Sequence, residues 1–200
     1  MPGSVTAIGS RAFSYNALTS VTIPNSVTTI GSPAFYKNDL TSVTIPNSVT
    51  IIGCSAFPHN PLTSVTIPDS VTTIGSRAFY DNELASLTIP DSVTSIGGEA
   101  FAFNNLTSVI IGNRVKTIGA SAFDRNALTG VYIPDSVVSI GKEAFVHVVD
   151  GLVYTVINAF DVEVMGRLLG NTATSIVIPA TVSFGEVYSV TTIRSRAFYD

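Results

Sequence analysis

Phenylalanine returns at Phe13, Phe35, Phe57, Phe79, Phe101, Phe123 and Phe145, each 22 residues after the last. Leucine keeps the same step at Leu18, Leu40, Leu62, Leu84, Leu106 and Leu128. Glycine does so at Gly9, Gly31, Gly53, Gly75, Gly97, Gly119 and Gly141. A fixed period of this length is the signature of a solenoid, in which one supersecondary unit is stacked many times. A single unit cannot bury its own apolar face, so the core exists only between neighbours. The expected fold is therefore a β-rich repeat solenoid of 22-residue units.

Each unit divides into segments with distinct tasks. Leu18, Val21 and Ile23 have LxxLxL spacing, and Val21 and Ile23 alternate with Thr22. That period-2 pattern predicts a short strand with one buried face, repeated as a parallel sheet. Pro24 ends the strand, because it brings no N–H to a ladder. Asn25, or Asp69 at the same place, suits a turn. Val27 and Ile30 should point back into the core from the opposite wall. Gly31 is expected to supply a backbone angle that other residues resist. Ala34 and Phe35 should fill the interior from a short helical turn.

Asparagine also recurs, at Asn16, Asn38, Asn60, Asn82, Asn104 and Asn126. One reading is a turn residue in a left-handed conformation. The other, which the fixed position favours, is a buried ladder whose amides bond the backbone of adjacent turns. Both are structural.

Composition bounds the function. Hydrophobic residues make up 46% and charged residues 12%, which supports a packed core and excludes disorder. The net charge of −4 gives no electrostatic reason to expect a nucleic acid partner. No apolar run is long enough to span a bilayer, and Met1 to Ser4 carry no signal segment. The one cysteine, Cys54, excludes an internal disulfide and fits either redox compartment.

The segment IPNSVTTIGSPAFYKNDLTSV, Ile23 to Val43, closely resembles the BspA-type leucine-rich repeat, I-P-x-S-V-x-x-I-G-x-x-A-F-x-x-x-x-L-x-x-V. The match runs from about Ser4 to Val146 and resumes from Thr174 to Asp200. It departs at Asn38, where many members of the family place a cysteine. The resemblance implies a right-handed leucine-rich-repeat solenoid with its parallel sheet on the concave face and short turns or helical turns elsewhere. It further implies a cell-surface or extracellular protein that adheres to protein ligands such as host matrix or cell-surface proteins. No catalytic residues travel with the motif, and fold alone gives only a prior on function.

After Phe145 the repeat breaks, and the next Ala-Phe pair, Ala197-Phe198, comes 53 residues on from Phe145. The expected organisation is one solenoid over 1–200. It has regular repeats over 4–148, a hairpin-like insertion over 149–173, and a degenerate repeat with a second insertion over 174–200. Leu152 to Ile157 and Val162 to Met165 read as strands after an Asp150-Gly151 turn, and Phe184-Gly185-Glu186 reads as a small hairpin loop. Neither end carries a polar cap, so a piece of a longer array is expected, with end-to-end association of copies also possible.

The outward strand column reads Thr22, Thr44, Thr66, Thr88, Ile110, Tyr132 and Val177, beside Ser20, Ser42, Ser64, Ser86, Ser108, Gly130 and Ser175. Exposed strands favour Thr and Ser, which accounts for the first four units. It does not account for the stripe Ile110, Tyr132 and Val177. A contiguous apolar patch marks an interaction site unless the insertion covers it. Binding is therefore expected at this column and the inserted hairpin. A structural spacer rod and an ice-binding hydroxyl array are the alternatives.

Asp69, Asp91 and Asp135 share a turn position, but Asn25 and Asn47 share it too, so turn capping outweighs calcium. His59 and His147 lie too far apart for a metal pair, and no nucleophile elbow or phosphate loop occurs. The lysines and arginines, among them Arg114, Lys116 and Lys142, read as a solvated face. The expectation is no enzyme, no cofactor and no metal.

Overall fold

The computed structural model describes residues 1–128, 131–149, 152–156, 161–167, 181–183 and 187–193. The chain winds into a parallel β-solenoid with a coil of 22 residues. Its one continuous sheet has seven strands in chain order. They are Ala7–Ile8, Thr29–Ile30, Ile51–Ile52, Thr73–Ile74, Ser95–Ile96, Thr117–Ile118 and Ser139–Ile140. Each pairs with the next in parallel, residue for residue one period on, as in Thr73 with Ser95.

This corrects the expected location of the sheet. The LxxLxL segments pair only in twos, Ser42–Thr44 with Ser64–Thr66 and Ser86–Thr88 with Ser108–Ile110, plus a Thr22–Thr44 bridge. Proline follows the inward isoleucine on that wall and withholds the N–H that would extend the ladder. On the opposite wall a glycine follows instead. The Gly53 N–H donates to Ile30 at 2.9 Å and the Gly97 N–H to Ile74 at 2.8 Å, drawing each coil onto its neighbour.

The glycine column therefore has a different task from the one expected. None of its members adopts a left-handed angle. A Cβ on Gly31 would lie 2.7 Å from the Ile8 carbonyl oxygen, and one on Gly97 would lie 2.6 Å from the Gly75 carbonyl carbon. Glycine is required because two backbones touch, which is steric and not conformational.

The third wall contains no helix among the described residues, so the expected helical turn is also corrected. A β-turn takes its place, closed by Ala34 N–H to Gly31 at 3.0 Å and repeated at Ala78 and Ala100. Alternate N–H groups then reach forward one coil. Arg77 donates to Gly98, Phe79 to Ala100 and Asp81 to Ala102, at 2.8 to 2.9 Å. Half of a parallel ladder is thus made here, and the remaining N–H groups close turns. Two columns on this wall carry the left-handed residues, one with Arg11, Ser55, Arg77, Glu99, Ser121 and Glu143, the other with Tyr15, Lys37, His59, Asp81, Phe103 and Arg125. Pro33 interrupts the first column, where the Ser32–Pro33 peptide is cis.

Inside, the seven phenylalanine rings form one coplanar stack from Phe13 to Phe145. Centroids are 4.9 to 5.5 Å apart and planes are within 10°. Burial of each such ring contributes about 1.5–3 kcal/mol. Leu40, Val49, Ile52 and Ala56 and their equivalents fill the remaining space.

The asparagine column is the buried ladder. Asn60 Nδ2 donates to the carbonyls of Phe35, Phe57 and Pro58, while its Oδ1 accepts from the Leu40 N–H. Asn38, Asn82 and Asn104 repeat the pattern and are buried. Asn16 is exposed, and among the described residues its side chain bonds only Ser14, within its own turn. The left-handed residue is the one before each asparagine, such as Lys37, and not the asparagine itself. A second tie comes from serine: Ser70 Oγ donates to Val49 at 2.7 Å and Ser136 Oγ to Val115 at 2.8 Å.

Beyond Phe145 the pairing changes to a separate five-stranded sheet. Val146–Val149, Leu152–Val156 and Asp161–Arg167 are antiparallel neighbours. Val187–Ile193 lies parallel to Asp161–Arg167 and antiparallel to Thr181–Ser183. Both segments read as strands from the sequence are therefore strands. Ile157 and the Phe184-Gly185-Glu186 loop lie outside the described residues.

Candidate functional site

The outward column stands as the strand alternation requires. Val109 and Ile111 are buried while Ile110 between them is 66% exposed. Tyr132, between buried Val131 and Ile133, is 56% exposed. Thr22, Thr44, Thr66 and Thr88 are exposed in the preceding coils, as are Ser20, Ser42, Ser64, Ser86 and Ser108. Val177, Gly130 and Ser175 lie outside the described residues. A shallow groove of about 480 Å³ runs beside this column, between Thr44 and Thr66 and the turn residues Asn47 and Asp69. Asp91 in that turn column accepts from the Asn113 N–H at 2.7 Å, a capping contact to the next coil.

A second surface was not singled out from the sequence. Along the wall of left-handed residues, Tyr15, Tyr36, His59, Tyr80 and Phe103 touch in series. Centroids are 5.0 to 5.5 Å apart, and the first three contacts are edge-on. Lys37 Nζ sits 5.7 Å from both the Tyr15 and Tyr36 rings, Arg77 lies over Tyr80, and Arg125 over Phe103. His59 Nδ1–H donates to Asp81 Oδ2 at 2.6 Å, the carboxylate being able only to accept. Arg77 grips Glu99 through Nε and Nη2 at 3.1 and 2.9 Å. That hydrogen bond first, and the Glu99 charge second, raise the Arg77 pKa above its ordinary value. The hydrogen bond that the Tyr36 hydroxyl gives to the Tyr15 side chain, followed by burial, pushes the Tyr36 hydroxyl up.

A periodicity signal for this surface does exist in the sequence. The aromatic side chains alternate between two adjacent columns, so their steps run 21, 23, 21 and 23 residues. No single 22-residue column displays them.

Cys54 is exposed and free. Among the described residues no cluster of three metal-ligating side chains occurs, and no helix is long and apolar enough to cross a membrane.

The model of the BspA type Leucine rich repeat region matches residues 1–61 and 28–149, with six copies. The chain belongs to the BspA-type leucine-rich repeat family. Two solved structures share the fold of this BspA-type solenoid. A leucine-rich repeat protein from Bacteroides ovatus is 31% identical over 72% of the chain, with a TM-score of 0.66. One from Eubacterium ventriosum is 26% identical over 72%, with a TM-score of 0.54. The BspA-type chain spans only 39% and 41% of those proteins. No curated protein matches the sequence.

Proposed function

We propose that this chain is a non-enzymatic protein-binding module of a cell-surface or secreted protein, acting in adhesion. Its partner docks on Ile110 and Tyr132, with Thr22, Thr44, Thr66 and Thr88 extending the surface and Val177 and the inserted hairpin continuing it. The supporting observation is the exposure of Ile110 and Tyr132 in a column that is threonine in the four preceding coils. A large exposed apolar side chain costs solubility and gains nothing for the core, and tyrosine is a favoured interface anchor. Membership of a surface-protein repeat family supports the location and the class of partner.

The test is a binding screen of purified matrix and cell-surface proteins against the wild-type chain and its Tyr132→Ala and Ile110→Ser variants. A partner whose affinity falls at least about tenfold in either variant, equal to about 1.4 kcal/mol, supports the site. A partner that binds both variants as well as wild type removes the assignment.

A spacer rod is the second reading, favoured by the uniform Thr22 to Thr88 units. It requires that substitution on every exposed face be equally silent. Binding of an ordered surface such as ice, through the same threonines, is the third. Absence of thermal hysteresis at high protein concentration would end it.

A further inference from the structure

The aromatic wall has the chemistry of a glycan site, and its charge selects among glycans. Two shallow depressions of about 560 and 260 Å³ adjoin there, sharing Tyr36 and Ser55, so that together they extend over four coils. No carboxylate lines either one. Arg11 borders the first and has no ion pair or side-chain hydrogen bond among the described residues. Lys37 contributes its charge between two rings and has no acidic partner among the described residues. Arg77 borders the second and spends Nε and Nη2 on Glu99, leaving Nη1 without a hydrogen bond among the described residues. Asp81 and Glu99, which reach the lining residues His59 and Arg77, are paired with them, and Asp39 and Glu83 stand outside the lining.

We propose that this wall binds one strand of an acidic polysaccharide, a polyuronate, laid along the solenoid axis. The apolar C–H faces of a pyranose stack on the electron-rich faces of aromatic rings. In the phenylalanine stack every inner face is covered. The edge-on series is not sealed in this way: Tyr15 is 71% and Phe103 42% exposed, so ring surface stays open to solvent at both ends of the wall. The rings follow one another at 5.0 to 5.5 Å, a step close to the advance of one pyranose in an extended chain. An extended peptide advances by about 3.3 Å per residue and falls out of register with that step. Ser32 and Ser55 offer hydroxyls in the same depressions, and the cations meet the uronate carboxylates.

Oligomannuronates, whose β-1,4 diequatorial linkage gives the extended advance that this step requires, are the probe, titrated calorimetrically into the whole chain. A neutral dextran oligomer of equal length and polyglutamate of equal charge serve as comparators. Saturable binding of the oligomannuronate is expected, weakened at least about tenfold by Tyr36→Ala and by the Arg11→Gln, Lys37→Gln pair. Tyr36→Phe should retain it, and Tyr132→Ala should leave it unchanged, which separates this wall from the protein-binding column. Urea melts verify that each variant is folded. Three results would overturn the proposal: no saturable binding, equal binding by folded Tyr36→Ala, or polyglutamate binding as tightly, which would reassign the wall to acidic peptides.

Discussion

Replacing Asn60 with aspartate keeps the side chain's shape and inverts its hydrogen bonding. Asn60 is 3% exposed. Its Nδ2 serves three carbonyls at 2.9, 3.1 and 3.2 Å, and its Oδ1 accepts the Leu40 N–H at 3.3 Å. A carboxylate preserves the Leu40 contact but turns a negative oxygen toward Phe35, Phe57 and Pro58. Burial and the opposed carbonyls then favour the protonated acid, and buried carboxyl groups rise by up to about 3–5 pKa units. A rise of about 3 units equals about 4 kcal/mol at 1.36 kcal/mol per unit. That is a large part of the roughly 5–15 kcal/mol that holds a domain folded.

The sign follows from linkage. The folded-state pKa lies above the unfolded value of about 3.9, so the unfolded chain releases its proton first as pH rises. The penalty is absent below about pH 4, grows above it, and is complete once pH exceeds the folded pKa. Below pH 4 the neutral acid still donates to one carbonyl, and a deficit of only about 1 kcal/mol should remain. Urea denaturation of wild type and Asn60→Asp at pH 7.5 and pH 3.5 measures both values. Asn16→Asp is the internal control, being the same residue in the same column but exposed and bonded only to Ser14. It should cost less than about 0.5 kcal/mol at either pH. A deficit at Asn60 that does not change with pH, or one that Asn16→Asp equals, would refute the reasoning.

Further outcomes are expected in the same assay. Gly97→Ala should destabilise by about 1–3 kcal/mol through overpacking, because its Cβ meets the Gly75 and Ser76 backbone. Gly9→Ala, whose Cβ meets nothing within 4 Å, should be neutral or better. Phe79→Ala should cost about 3–5 kcal/mol, since the ring lies stacked between Phe57 and Phe101. Ser121→Gly should be neutral or stabilise by up to about 1 kcal/mol: its φ of 53° costs an L-residue about 1–2 kcal/mol, while glycine returns about half of that as unfolded-state entropy. Ser121→Val should destabilise, and a Ser121→Gly loss above about 1 kcal/mol would contradict this account.

What was legible in the sequence was what a fixed column records. Phe35, Leu40, Val49 and Ile52 are identical or similar in every unit, and their burial follows directly. Asn38 could be read as a ladder because a buried amide ties its own coil to the one before it and tolerates no substitute. What could not be read was geometry shared between columns. Thr29–Ile30 and Ser42–Thr44 look equally like strands, and only the glycine's close approach decides which wall carries the continuous sheet. Gly31 announces itself as necessary without saying whether an angle or a neighbour makes it so. The aromatic wall eluded column-by-column reading because Tyr36 and Tyr80 sit one position before Tyr15, His59 and Phe103. Ile110 and Tyr132 were legible as departures from threonine. Their exposure needed the structure.

The asparagine ladder carries a consequence for length. Each amide ties its own coil to the one before it, and its contacts span at most 25 residues of chain. Closing such a segment carries the same entropic cost at every position along the array. No buried contact of this ladder joins distant coils, so none measures how many coils there are. A gene that gains or loses 22 codons in register would rejoin the same column to the same column. The protein therefore has a quantum of length but no built-in length, and its reach can change by whole coils without any interface being redesigned.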